Sequence, residues 1–237
     1  LGKVQRLSHQ QIRQAIKRDE LREFIEDTLV WVRGHVENVI IGSVLLAVLG
    51  FGLYYLLSSR QEGGVKASLQ LAAADGQFQR ALSGPVNGQA YAAATAAYQG
   101  VKAEFDGKPE GLRAELGLAN VDFETGKFEE ARAAYESFAS QHATHALAPV
   151  ALAGQAASLE GLNKAAAAAE LYLSVSKNYP QAPNMAQCLF DAARLFDSLG
   201  QKARVKELVV SLEALQSNAR LPESLKARLA ALKAKAA

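Results

Sequence analysis

Residues 126–138 read GKFEEARAAYESF, a glycine and a short turn followed by a helix whose small and aromatic residues share one face. Phe128, Ala131, Tyr135 and Phe138 follow one another at intervals of three and four, which aligns side chains along one stripe of a 3.6-residue helix. The same markers recur along the chain. Tyr98, Tyr135 and Tyr172 are spaced by a constant 37 residues, and each stands four positions after an alanine: Ala94, Ala131 or Ala168. Tyr91 and Val101 complete the copy before, Ala165 and Val175 the copy after. A fourth, LGQKARVKELVVSL at 199–212, has Gly200 in the place of Gly126, with Val205, Val209 and Leu212 on the matching face.

Another helical segment precedes each of the last three copies: PEGLRAELGLANVDFETG, APVALAGQAASLEGLN and APNMAQCLFDAARLFDSLG. Proline opens each pair, at Pro109, Pro149 and Pro183, and suits a first helical turn because it has no N–H to lose there. Gly126, Asn163 and Gly200 separate the paired helices, where a left-handed C-cap is required. The small residue at the Ala131 position lets two helices approach, and the tyrosine one turn on fills the adjoining groove. Composition agrees with this reading. Alanine supplies much of the 49% apolar content while aromatics make up only 7%, which favours helix because alanine loses no side-chain entropy there. The expected fold is all-α.

These residues resemble the tetratricopeptide repeat, a helix–turn–helix unit of about 34 residues. Leu118-Ala119 stands where that family usually has Leu-Gly, GKF matches its Gly-x-Tyr, Ala131 its small residue and Tyr135 its later aromatic. The early tryptophan is missing and the repeats run a few residues long. The match is closest over 109–145, looser over 146–217 and weakest over 65–106, with the closing helix PESLKARLAALKAKAA as a basic cap. The resemblance implies a curved stack whose first helices line a concave side. The positions matching the family's groove pattern are Arg113, Leu116, Asn120 and Phe123, then Val150, Ala153 and Glu160, then Gln187, Phe190, Arg194 and Asp197. The set lacks the repeated lysines of arrays that clamp acidic C-terminal tails, so an extended peptide or a partner helix is the better expectation.

From Asn38 to Ser59 the chain carries no charge, NVIIGSVLLAVLGFGLYYLLSS, with Glu37 and Arg60 flanking it. At 1.5 Å per residue, about 22 residues give about 33 Å, enough for a hydrocarbon core of about 30 Å. The run is too long, and its exit LLSSRQEGG offers no small-x-small cleavage site, for a cleaved signal peptide, so it reads as a retained anchor. Ser43, Ala47 and Gly50 form a small-residue stripe of the kind that admits a second membrane helix. Lys3, Arg6, Arg13, Lys17, Arg18, Arg22 and Arg33 precede the span, and positive-inside reasoning therefore puts the N-terminus in the cytoplasm. The segment before the span has Ile12, Ile16, Phe24, Ile25 and Leu29 at roughly helical spacing, an amphipathic pattern. Three regions follow: 1–37 cytoplasmic and amphipathic, 38–59 transmembrane, 60–237 the repeat array.

No motif for chemistry emerges. The net charge of +2 is too small to mark a nucleic-acid binder. The single cysteine, Cys188, can form neither an internal disulfide nor a cysteine-rich metal site. His142 and His145 lack a third ligand for zinc, and no phosphate loop or nucleophile elbow is present. No enzyme, cofactor or small-molecule substrate is expected. The layout of a cytoplasmic stub, one span and an exported array also resembles the YfgM-type proteins, a family described as ancillary to the SecYEG translocon of bacterial inner membranes. That resemblance implies an adaptor on the periplasmic side whose partners are the translocon or exported polypeptides. The alternative is a permanent structural subunit of a larger inner-membrane complex.

Overall fold

A computed structural model describes the backbone of residues 30–31, 33–84, 88–217 and 221–236; the side chains of 38–44, 53–63 and 235–236 lie outside that description. Among the described residues every regular element is a helix: α1 (Val36–Ser83), α2 (Gly88–Glu104), α3 (Pro109–Glu124), α4 (Phe128–Gln141), α5 (Ala148–Gly161), α6 (Ala165–Asn178), α7 (Met185–Ser198), α8 (Lys202–Ser217) and α9 (Glu223–Ala236). The chain divides into two compact units, Leu1–Gly63 and Gly64–Ala237.

In the first unit, the amphipathic segment expected before residue 30 falls outside the described residues. Of the expected span, residues 45–52 have described side chains. Leu45, Leu46, Val48, Leu49 and Phe51 are all 58–73% exposed. Since successive residues are turned by about 100°, apolar groups here point to all sides of the helix. Ala47 is exposed, and nothing stands within 4 Å of a Cβ built on Gly50. The side chain of Ser43 is outside the description. Among the described residues no helix is long and apolar enough to cross a membrane.

The second unit is built of helix pairs. Ala67, Leu71, Ala74, Phe78 and Ala81, on the last part of α1, are buried against Tyr91, Ala94, Tyr98 and Val101 of α2. The pairs α3–α4, α5–α6 and α7–α8 follow, each packed on its neighbours in chain order. The marker residues hold equivalent places: Ala94, Ala131 and Ala168 are fully buried, and Tyr98, Tyr135 and Tyr172 are 3–6% exposed. Val205, Val209 and Leu212 bury the matching face of α8, so the fourth copy carries a valine where the others carry tyrosine. Leu225, Leu229 and Leu232 of α9 close the core at that end.

The turns between paired helices repeat one geometry. Gly126, Asn163 and Gly200 have φ of +78°, +59° and +71°. After each, the next N–H bonds back five residues: Lys127 to Asp122 at 2.9 Å, Lys164 to Leu159 at 2.8 Å, Gln201 to Phe196 at 2.8 Å. This is the double bond pattern of a left-handed C-cap, which satisfies carbonyls the ending helix leaves open. Pro109 and Pro149 lie in the first turns of α3 and α5 as expected. Pro183 does not. It lies two residues ahead of α7, inside a turn closed by Met185 N–H onto the Ala182 carbonyl at 3.1 Å, because its fixed φ suits the second place of such a turn equally well.

Candidate functional site

The 37-residue step arranges the first helices of the pairs in rows. Arg113, Val150 and Gln187 form one row, Leu116, Ala153 and Phe190 a second, Asn120, Ala157 and Arg194 a third, and Phe123, Glu160 and Asp197 a fourth. Rows one and three are the more open. Arg113, Val150, Asn120 and Arg194 are exposed. The second row turns inward, with Leu116 at 6% and Phe190 at 3% exposure. Leu116 is therefore a core residue and not a groove residue: it packs with Ala119, Ala131, Tyr135 and Phe138. A stripe drawn at helical spacing is broad enough to include one row that points back at the neighbouring helix. Phe123 is half-buried, edge-on to Phe128 with centroids 5.4 Å apart.

The tyrosines lock this face from behind. The Tyr98 hydroxyl donates to Asp75 Oδ1 at 2.7 Å, and the Tyr135 hydroxyl to Asn120 Oδ1 at 2.5 Å. Asn120 thus spends its carbonyl oxygen inside its own pair. The Tyr172 hydroxyl engages Glu160. Burial pushes all three phenols above the usual tyrosine range, helped by the adjoining acids. The rings of Tyr98 and Tyr135 also rest on the next pair. A Cβ on Gly117 would meet the Tyr98 ring at 2.6 Å, and one on Gly154 the Tyr135 ring at the same distance. The third residue in that register is Asp191, whose charge bears on Tyr172.

Around Asp191 the groove face becomes a polar network across α5, α7 and α9. Arg194 Nη2 donates to Glu160 at 2.6 Å, and its Nε lies 3.8 Å from Asp191. Arg228 Nη1 donates to Gln187 Oε1 at 3.0 Å, and its Nη2 stands 3.7 Å from the same Asp191. Gln187 Nε2 donates to Asp191 at 2.7 Å. The Arg228 guanidinium sits 5.1 Å over the Phe190 ring. Asp197 pairs with Lys202 at 2.5 Å. Between α7 and α9 these groups enclose a cleft of about 200 Å³ lined by Phe190, Arg194, Asp197, Arg228, Ala231 and Leu232.

Gln187, Phe190, Arg194 and Asp197 are thus brought together with Glu160. Arg113 and Asn120 stand on α3, away from this cluster. Asp191 is not singled out by the sequence, its one signal being its place in the Gly117–Gly154 register, and Arg228 reads there as part of the basic closing helix and not of the groove. A second set of ion pairs links second helices: Glu129 with Lys164 at 2.9 Å, and Glu170 with both η nitrogens of Arg204.

The remaining candidates for chemistry are structural. Cys188 is 1% exposed, and burial pushes its thiol up to about 12. The His142 ring packs 4.8 Å from Phe138, and His145 Nδ1 accepts the Leu147 N–H at 3.1 Å. Among the described residues no group of three or more His, Cys, Asp and Glu side chains is placed to hold a metal ion.

No protein-family profile matches the chain, and no curated protein matches it. A solved structure is similar: the nearly identical TPR-like repeats of a candidate kinesin light chain from Podosopora anserina, with a TM-score of 0.52 and 16% identity, covering 72% of this chain and 93% of that one. The second unit has a tetratricopeptide-like repeat fold.

Proposed function

We propose that this chain is a membrane-tethered scaffold that binds other proteins along the first-helix face of its repeat array. The observation that carries the reading is the partly exposed network of Glu160, Arg194, Asp191, Gln187 and Arg228, which joins the first helices α5 and α7 and the closing helix α9 into one surface beside an open cleft. Arginine flanked by a buried aromatic and half-buried polar groups is the composition of protein-contact patches. Residues 38–59 anchor the chain in a bacterial inner membrane, the N-terminus lies in the cytoplasm, and the array faces the periplasm. The all-round exposure of Leu45, Leu46, Val48, Leu49 and Phe51 supports the anchor, as such a helix needs an apolar surrounding. The charge bias ahead of the span supports the orientation. On this reading the array serves as an accessory to protein translocation, holding exported polypeptides near the SecYEG translocon.

A photocrosslinking residue at Val150, which is 46% exposed, tests the scaffold in intact membranes. Labelling of exported polypeptides or translocon subunits is the expected result. One labelled protein in fixed ratio would replace the accessory role with that of a permanent subunit, and no protein labelled from Val150 or Arg113 would overturn the scaffold. Alkaline carbonate extraction tests the tether: the full chain should stay with the membranes, and deletion of 38–59 should release it.

A further inference from the structure

The cleft between α7 and α9 has the chemistry of a pocket for one side chain. At about 200 Å³ it is smaller than the roughly 300–1,000 Å³ of sites that hold whole small molecules. Its buried apolar lining is Phe190 and Leu232, Ala231 lines it from the exposed side of α9, and the exposed Arg194 and Arg228 stand at its rim. Every charge around it is countered locally: Arg194 by Glu160 at 2.6 Å, Arg228 by Asp191 at 3.7 Å, Asp197 by Lys202 at 2.5 Å. A carboxylate entering here would meet a balanced site and compete with acids already in place. Each guanidinium carries five N–H groups, and the bonds to Glu160 and Gln187 use one on each. Donors therefore remain at the rim, where they can meet neutral acceptors.

We propose that this cleft receives one leucine- or phenylalanine-sized side chain from an extended, uncharged stretch of a bound polypeptide, while Arg194 and Arg228 donate to that stretch's backbone carbonyls. The proposal rests on the scaffold reading above and names the sequence class that the C-terminal end of the face selects. Asp191 acts as the positioning residue. It takes the register place that glycine holds at Gly117 and Gly154, and from there it faces both arginines.

The test uses the full chain in detergent and a fluorescein-labelled twelve-residue peptide of Ser, Asn and Gly with one central leucine, read by anisotropy. Replacing that leucine with serine should weaken binding about tenfold or more, as when an aliphatic group is lost from an apolar site. Raising salt from about 50 to about 500 mM should change the affinity by less than about twofold, since no net charge is exchanged. Ala231→Phe, which fills the cleft from the exposed side of α9, should weaken the leucine peptide at least about fivefold with an unchanged thermal midpoint. An aspartate peptide that binds as well as the leucine peptide would overturn the proposal, as would binding that collapses with salt or a leucine peptide that does not bind. The scaffold reading would survive each of these results if the Val150 probe still labelled its partners. It would fall separately if that probe labelled nothing.

Discussion

The ring of Tyr135 lies where a side chain on Gly154 would have to stand, since a Cβ there would come within 2.6 Å of two ring carbons. Glycine inside a helix ordinarily weakens it by about 1 kcal/mol relative to alanine. At this place the trade reverses, because overpacking a filled interior costs about 1–3 kcal/mol. Gly154→Ala should therefore lower stability by about 1–2 kcal/mol. Gly100→Ala, on a site of α2 with nothing within 4 Å, should raise it by about 0.5–1 kcal/mol. Chemical denaturation of the two variants checks the contrast, and equal signs would refute the account of the ring seat.

The three left-handed turns offer an internal comparison. Gly126→Ala forces a side chain into φ +78°, with an expected loss of about 1–2 kcal/mol. Asn163 already bears a side chain at φ +59°, so Asn163→Gly relieves strain while loosening the unfolded chain. It should fall within about 0.5 kcal/mol of the parent in thermal melts.

The Glu160–Arg194 pair belongs to the surface. The Arg194 side chain is 52% exposed, and pairs of that kind contribute about 0–1 kcal/mol to stability. A double-mutant cycle with alanine at both positions should give a coupling below about 1 kcal/mol. Arg194→Ala should nevertheless reduce photocrosslinking from Val150 by several-fold. A large coupling with unchanged crosslinking would make the pair a structural brace.

Alkali should destabilise the array. The folded state holds the protons of Tyr98, Tyr135 and Tyr172 above the usual tyrosine range, and that of Cys188 up to about 12. The unfolded chain releases them near about 8.5 for cysteine and about 10 for tyrosine. The protonated forms therefore contribute stability that is complete below about pH 8 and lost as pH rises from there toward 12. Urea midpoints at pH 7, 9 and 10.5 should fall in that order. In the native protein at pH 8, Cys188 should stay unreactive to an aromatic disulfide reagent and titrate only after unfolding.

Much of this architecture could be read from spacing. A 37-residue interval between tyrosines, with an alanine one turn before each, reports a packing unit, because small and large residues alternate only where two helices meet closely. Gly126, Asn163 and Gly200 were legible for the same reason, each being a residue that tolerates positive φ. The seats of the rings were not. Gly117 and Gly154 share the 37-residue step, yet a lone glycine in a helix reads as weakness until the partner ring is in view. Leu116 and Phe190 were placed in the groove because helical spacing fixes a stripe but not which edge of it faces the core. The role of Arg228 depends on α9 folding back beside α7, which local sequence does not encode.

The valine at position 209 has a consequence for how the array comes apart. Elsewhere a phenol latches each pair to itself, and those of Tyr98 and Tyr135 also wedge it against its successor, which couples neighbouring pairs. The last joint lacks a phenol, and its aliphatic packing is joined by exposed polar contacts, Lys233 with Glu213 at 2.5 Å and Arg228 with Gln187 at 3.0 Å. Fraying should begin there, with the backbone amides of α8 and α9 exchanging with deuterium ahead of those in α3 to α6. A guest lodged beside Phe190 would bridge that same joint, slow the exchange and make the loosest end of the protein the one that stiffens when loaded.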